Sequence, residues 1–148
     1  MAEDGDYIYI LLADDDGDDR LFFAEAIAEL DQKIQLSTVK DGDELMKYLS
    51  NTIILPHFIF VDLNMPFKNG LQCLEEIRAN PAYHDVCVIL YSTTARQGDI
   101  DKGYERGANL FINKPNSFTD LVAIMRRVLS FDLKDCHNMS KDKFFLKL

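Results

Sequence analysis

Four apolar runs in this 148-residue chain each lead to a polar side chain able to do chemistry, and segments with apolar residues at helical spacing separate them. Tyr7-Ile8-Tyr9-Ile10-Leu11-Leu12 leads to Asp14-Asp15-Asp16, and Phe58-Ile59-Phe60-Val61 leads to Asp62. Val86 to Tyr91 leads to Ser92, and Asn109-Leu110-Phe111-Ile112-Asn113 leads to Lys114-Pro115. Few folds are open to a chain written this way. Strands covered on both faces read as unbroken apolar runs. An open parallel sheet then collects the residues at the carboxyl ends of its strands in one crevice.

Residues 7–13 predict a buried strand, and Gly17-Asp18-Asp19 opens a helix with Leu21, Phe22, Ala26, Ile27 and Leu30 on one face. Asp18 and Asp19 stand where a helix N-terminus favours negative charge. Ile34 to Val39 predicts a weaker second strand, Asp41-Gly42 a turn, and Asp43 to Leu49 a short helix. The third strand is expected at 58–61, with a loop from Asn64 to Gly70 and a helix from Leu71 to Ala79 that Asn80-Pro81 stops. Strands over 86–91 and 109–113 flank a helix near 99–106, and a last helix runs from Phe118 to Phe131. Five strand–helix units predict an α/β fold: a doubly wound, five-stranded parallel sheet with helices on both faces. The expected division is an acidic extension over 1–6, one domain over 7–131 and a mixed tail over 132–148.

Charge locates the chemistry. The net charge is -9, and residues 1–20, with eight acids and one base, hold -7 of it. The acidity is local, and without a basic cluster nucleic-acid binding is not expected. No apolar run approaches the ~20 residues of a membrane span. The N-terminus lacks the basic patch of a secretory signal, so a cytoplasmic protein is expected. Cys73, Cys87 and Cys136 are odd in number and lack C-x-x-C spacing, which predicts reduced thiols.

In a doubly wound sheet the first strand adjoins the third, which brings Asp14 and Asp15 beside Asp62. Three converging carboxylates repel one another unless they take up protons or a cation. Mg²⁺, a hard ion that prefers oxygen ligands, resolves the conflict. With the metal in place one carboxylate can attack phosphorus, Lys114 supplies a second positive group and Ser92 offers a hydroxyl to a phosphoryl oxygen. Each piece alone has a plainer reading: a solvated acidic loop, a turn lysine before proline, an ordinary Ser-Thr-Thr loop. Their joint appearance, each after its own strand, points to a site.

Leu-Leu-Ala-Asp14-Asp15-Asp16, Val-Asp62-Leu-Asn-Met-Pro66-Phe-Lys-Asn-Gly70, Leu-Tyr-Ser92-Thr93 and Asn-Lys114-Pro115 resemble the motifs of bacterial two-component response-regulator receiver domains, in particular single-domain, chemotaxis-regulator-like ones. The resemblance covers about residues 7–131 and implies a flavodoxin-like fold. It implies Asp62 as phosphoacceptor, with Asp14, Asp15, Asp62 and the backbone carbonyl of Asn64 around Mg²⁺. It further implies Ser92 as the switch hydroxyl, Lys114 as the family's lysine and Phe111 as the aromatic that rotates with Ser92. The family's Lys-Pro bond is usually cis, so a cis Lys114-Pro115 bond is expected. The function implied is a stand-alone, Mg²⁺-dependent signalling domain and not a turnover enzyme. It would be charged by a histidine kinase or phosphotransfer protein and would signal to a protein target through its fourth helix, fifth strand and fifth helix.

The 17 residues after 131 are too few for a DNA-binding module, so output by protein contact is expected. Their closing Phe144-Phe145-Leu146-Lys147-Leu148 leaves three readings open: packing on the domain, a homodimer contact or a partner contact. The alternative enzyme reading is a Mg²⁺-dependent aspartyl-nucleophile phosphatase, because Asp14-Asp15-Asp16 satisfies D-x-D. A flavin module would want a phosphate loop where three aspartates stand, and a calcium loop would put Leu12 at its first ligand position.

Overall fold

The computed structural model describes residues 7–146; the acidic segment 1–6 and residues 147–148 lie outside it. The element order is β1 (Ile8–Ala13), α1 (Gly17–Ala28), β2 (Ile34–Val39), α2 (Gly42–Asn51), β3 (Phe58–Asp62), α3 (Gly70–Ala79), β4 (Cys87–Ser92), α4 (Gln97–Glu105), β5 (Leu110–Asn113) and α5 (Phe118–Ser130). Three short elements follow: α6 (Leu133–His137), α7 (Lys141–Phe144) and β6 (Phe145–Leu146). The sheet order is β2-β1-β3-β4-β5-β6 and every pairing is parallel. The first five strands follow the flavodoxin-like order, with the topological switch between β1 and β3.

Alternate residues of each strand feed two cores. Ile10, Leu12, Phe60, Ile89, Tyr91 and Ile112 pack with α1 (Phe23, Ile27) and α5 (Leu121, Met125, Val128) on one face. Leu11, Ala13, Ile59, Val61, Val88, Leu90 and Phe111 pack with α2 (Leu45, Leu49) and α3 (Leu74, Ile77) on the other. Burial on both sides explains why β3 and β4 carry no polar alternation. Side chains stop the strands and start the helices: Asp16 caps α1, Asp41 caps α2, Asn69 and Gln72 form a reciprocal cap on α3, and Ser117 caps α5.

Three expectations change. The sheet has six strands, because the tail returns to the domain and adds β6 beside β5. Among the described residues no peptide bond is cis, so Lys114-Pro115 is trans, the lower-energy isomer of an X-Pro bond. Lys114 still reaches the pocket, because its backbone N–H is held by the Ser92 carbonyl at 2.7 Å. Cys87 and Cys136, expected as reduced thiols, are joined in a disulfide; α6 brings them together across 49 residues, with their Cα atoms 6.6 Å apart. Cys73 remains a free, buried thiol. Among the described residues no helix is long and apolar enough to cross a membrane.

Candidate functional site

Residues at the carboxyl ends of β1, β3 and β5 meet, beside the end of β4. Asp14 follows β1 with its side chain fully buried, and one of its oxygens accepts the Asp16 N–H at 3.0 Å. Asp62 is the last residue of β3 and faces Tyr91 of β4 in register. Its Oδ1 accepts the Asn64 N–H at 3.1 Å, which closes the turn leaving the strand. Gly70 makes that turn feasible: a Cβ there would lie 2.6 Å from the Asp62 carbonyl oxygen and 2.9 Å from the Leu63 Cα. Asp15 is exposed, yet one carboxylate oxygen from each of Asp14, Asp15 and Asp62 lies within 4.8 Å of the others.

Lys114 enters from the end of β5. Its Nζ donates to Asp14 at 2.8 Å, to Asp19 at 2.9 Å and to Asp62 at 3.4 Å, and it lies 5.1 Å from the centre of the Tyr91 ring. An ammonium has three N–H donors, and here three carboxylates receive them. Burial pulls the Lys114 pKa down, but the hydrogen bonds to Asp14 and Asp19 and the charge of Asp62 outweigh it and leave it above the ordinary 10.5. Burial pushes the Asp62 carboxyl from 3.8 up to about 6; Lys114 and the Asn64 N–H pull against this, and Asp14 adds to it. Burial also raises the Tyr91 hydroxyl above its usual range.

Ser92, the last residue of β4, is buried, and its Oγ accepts the Thr94 N–H at 3.2 Å. Phe111 is fully buried one strand over, on the opposite side of the sheet from Tyr91 and Ile112. Asn64 is exposed in the loop after β3. The sequence reasoning therefore names the acids and the lysine that the fold brings together, and places Ser92 and Phe111 on the two neighbouring strands.

It misses two aspartates. Asp19 is a third partner of Lys114, aimed from the first turn of α1; its signal was its position at a helix start just after the strand that carries Asp14 and Asp15. Asp16 accepts the backbone N–H groups of Asp18 and Asp19 as the cap of α1. That contact turns its carboxylate toward the helix.

The chemistry of this donor set fits a hard divalent cation: three carboxylates within reach, no thiol or imidazole, and one oxygen of the set open to solvent through Asp15. A cavity of about 360 Å³ lined by Asp18, Asp19, Phe22, Thr93, Lys114, Pro115 and Asn116 adjoins the lysine.

Comparison with known proteins agrees. The response regulator Rcp1 of Synechocystis sp. is 28% identical over 130 residues, covering 84% of this chain and 88% of that protein. The probable chemotaxis protein CheY of Rhizobium etli is 27% identical over 122 residues, covering 82% and 92%. Among solved structures, the phosphorylated cyanobacterial phytochrome response regulator RcpA superposes with a TM-score of 0.78 at 30% identity, covering 84% of this chain and 93% of that one. The Mn²⁺-bound form of Rcp1 superposes with a TM-score of 0.75 at 27% identity, with the same coverage. Residues 10–126 match the model of the response regulator receiver domain. The chain belongs to the response regulator receiver domain family, whose members are signalling domains.

Proposed function

We propose that this protein is a phosphorylation-dependent switch in which Asp62 accepts a phosphoryl group from a histidine kinase or phosphotransfer protein. The supporting observation is the meeting of Asp14, Asp15, Asp62 and Lys114 at the ends of three strands. An Asp62 carboxylate oxygen attacks phosphorus, the P–N bond of a phosphohistidine breaks, and the imidazole leaves with the electron pair. Lys114, 3.4 Å from Asp62, is placed to meet the charge on a phosphoryl oxygen, while Asp14 and Asp19 hold the ammonium. The side chains of Asp14, Asp15 and Asp62, with the Asn64 carbonyl, would hold Mg²⁺, which when bound neutralises charge on the transferring group. The Mn²⁺ bound to Rcp1 and the phosphorylated state of RcpA support this reading.

The added group places a larger dianion beside β4. Ser92 leaves its Thr94 contact to donate to it, Phe111 takes the space released, and the α4–β5–α5 face changes packing for a protein target. Hydrolysis of the acyl phosphate by the domain itself resets it. The test is incubation with acetyl phosphate, with Mg²⁺ or with chelator, and intact-mass measurement. One phosphoryl group should appear on the wild type with Mg²⁺ and none on Asp62→Asn; labelling that persists in the variant moves the acceptor elsewhere. Ser92→Ala should be labelled yet show a reduced change in target affinity on phosphorylation.

A further inference from the structure

The tail occupies the face through which a receiver of this kind would signal. Residues 145–146 add a parallel strand to β5, with Phe111 opposite Phe145 and Ile112 opposite Leu146. Phe144, 1% exposed, sinks between strand and helix. Its ring stands edge-on to Tyr104 at 5.3 Å and to Phe111 at 6.5 Å, and the Phe145 ring lies 5.8 Å from Phe111. Gly103 on α4 makes room for the Leu90 methyl, with which a Cβ would collide, and the tip of the Phe144 ring lies in ordinary contact range of the same position, at 3.6 Å. Lys141 adds an ion pair to Asp101 at 3.7 Å and stands over the Tyr104 ring. Upstream, the tail is anchored to the opposite end of the sheet, where Asn109 donates to the Cys136 carbonyl at 3.3 Å and the His137 ring meets the Asp85 carbonyl at 2.8 Å. The end of the tail can therefore leave while its root stays.

We propose that the edge of β5 and the Gly103–Tyr104 face of α4 form a docking site for an extended aromatic segment, that residues 144–146 of this chain fill it in the unphosphorylated protein, and that phosphorylation at Asp62 loosens them. The inference rests on the proposed role of Asp62 and on the Ser92–Phe111 relay. Phe111 is the shared element. Its ring packs against Phe144 and Phe145, so a ring that moves toward the space left by Ser92 withdraws from both. A cavity of about 670 Å³, walled by Ile100, Lys114, Ile124, Phe145 and Leu146, runs beside the strand and gives it room to shift. Coupling is reciprocal: the factor by which bound mimic weakens docking of the tail is the factor by which the docked tail weakens binding of the mimic.

The test uses the full chain and beryllofluoride with Mg²⁺ as the phosphoryl mimic. Fluorine NMR reports bound mimic, and hydrogen exchange reports the amides of 144–146 against those of β1 and β3. Bound mimic with faster exchange at 144–146 and unchanged β1 is the expected result. Phe144→Ala should show fast tail exchange without the mimic and bind it roughly five-fold or more tightly; Phe144→Leu, which keeps the anchor apolar, should stay near the wild type. Bound mimic with unchanged tail exchange overturns the tail proposal and leaves Asp62 as acceptor. No bound mimic in the wild type overturns both. A Phe144→Ala chain that binds the mimic no more tightly than the wild type overturns the coupling. A resting dimer whose dilution exposes the tail places the segment on a second copy and overturns its docking within the chain.

Discussion

The Lys114 ammonium stands 2.8 Å from a fully buried oxygen of Asp14 and 3.4 Å from Asp62, so its tighter partner is the residue that is not the proposed acceptor. Asp14 thus fixes the cation, and Asp62 keeps the looser contact that an arriving group can replace. Removing the cation leaves two buried carboxylates unpaired. Lys114→Met should cost about 3–5 kcal/mol in chelator at pH 7, measured by urea denaturation, and Mg²⁺ should recover part of the loss.

Asp19 holds the same ammonium from a half-exposed position, so its contribution to stability is small. Asp19→Asn should cost less than about 1 kcal/mol yet slow labelling by acetyl phosphate several-fold, because the freed N–H donor settles on Asp62. Equal labelling rates in wild type and variant would remove Asp19 from the site.

The raised pKa of Asp62 sets a pH dependence in metal-free protein. The folded state binds this proton more tightly than the unfolded chain, so the stability it contributes is full below 3.8 and is lost as pH rises to about 6. At most roughly 3 kcal/mol is involved, at 1.36 kcal/mol per unit. Asp62→Asn abolishes the titration. Its stability relative to wild type in chelator should climb between pH 4 and pH 6 and then level off.

A divalent ion that binds only the folded site stabilises by mass action. Mg²⁺ at about a hundred times its dissociation constant should add about 2.7 kcal/mol. Asp15→Asn removes one of the three converging carboxylates and should need more Mg²⁺ for the same gain, while its metal-free form should be no less stable than wild type. Thermal melts across a Mg²⁺ series measure both.

Gly70 lets the α3 cap close against the backbone of Asp62 and Leu63. Gly70→Ala should destabilise by about 1–3 kcal/mol, the cost of an overpacked contact, and should lower the labelling rate by displacing the turn that aims the acceptor. Circular dichroism melts and mass-resolved labelling separate the two effects.

Much of this molecule was legible because burial on both faces leaves unbroken apolar runs, and because strand ends in such a sheet share a crevice. Asp14, Asp15, Asp62 and Lys114 follow from that rule. The tail did not, because its placement depends on long-range partners: Asn109 for Cys136, Asp85 for His137, Phe111 for Phe144. The Cys87–Cys136 pairing was hidden for the same reason, as no spacing rule links residues 49 apart. Asp19 reads only as an acid at a helix start, and Asp16 has no role in the receiver reading, because cap geometry and the reach of Lys114 exist only once α1 is set against β1.

The two-residue β6 has a consequence for how copies of this protein meet. A parallel sheet that stopped at β5 would present the unpaired N–H and C=O groups of Leu110–Asn113 as a template for another molecule's strand. Laid against Phe111 and Ile112, the strand blunts that border with an edge too short to propagate. Releasing it would reopen the same groups to an extended segment of another molecule.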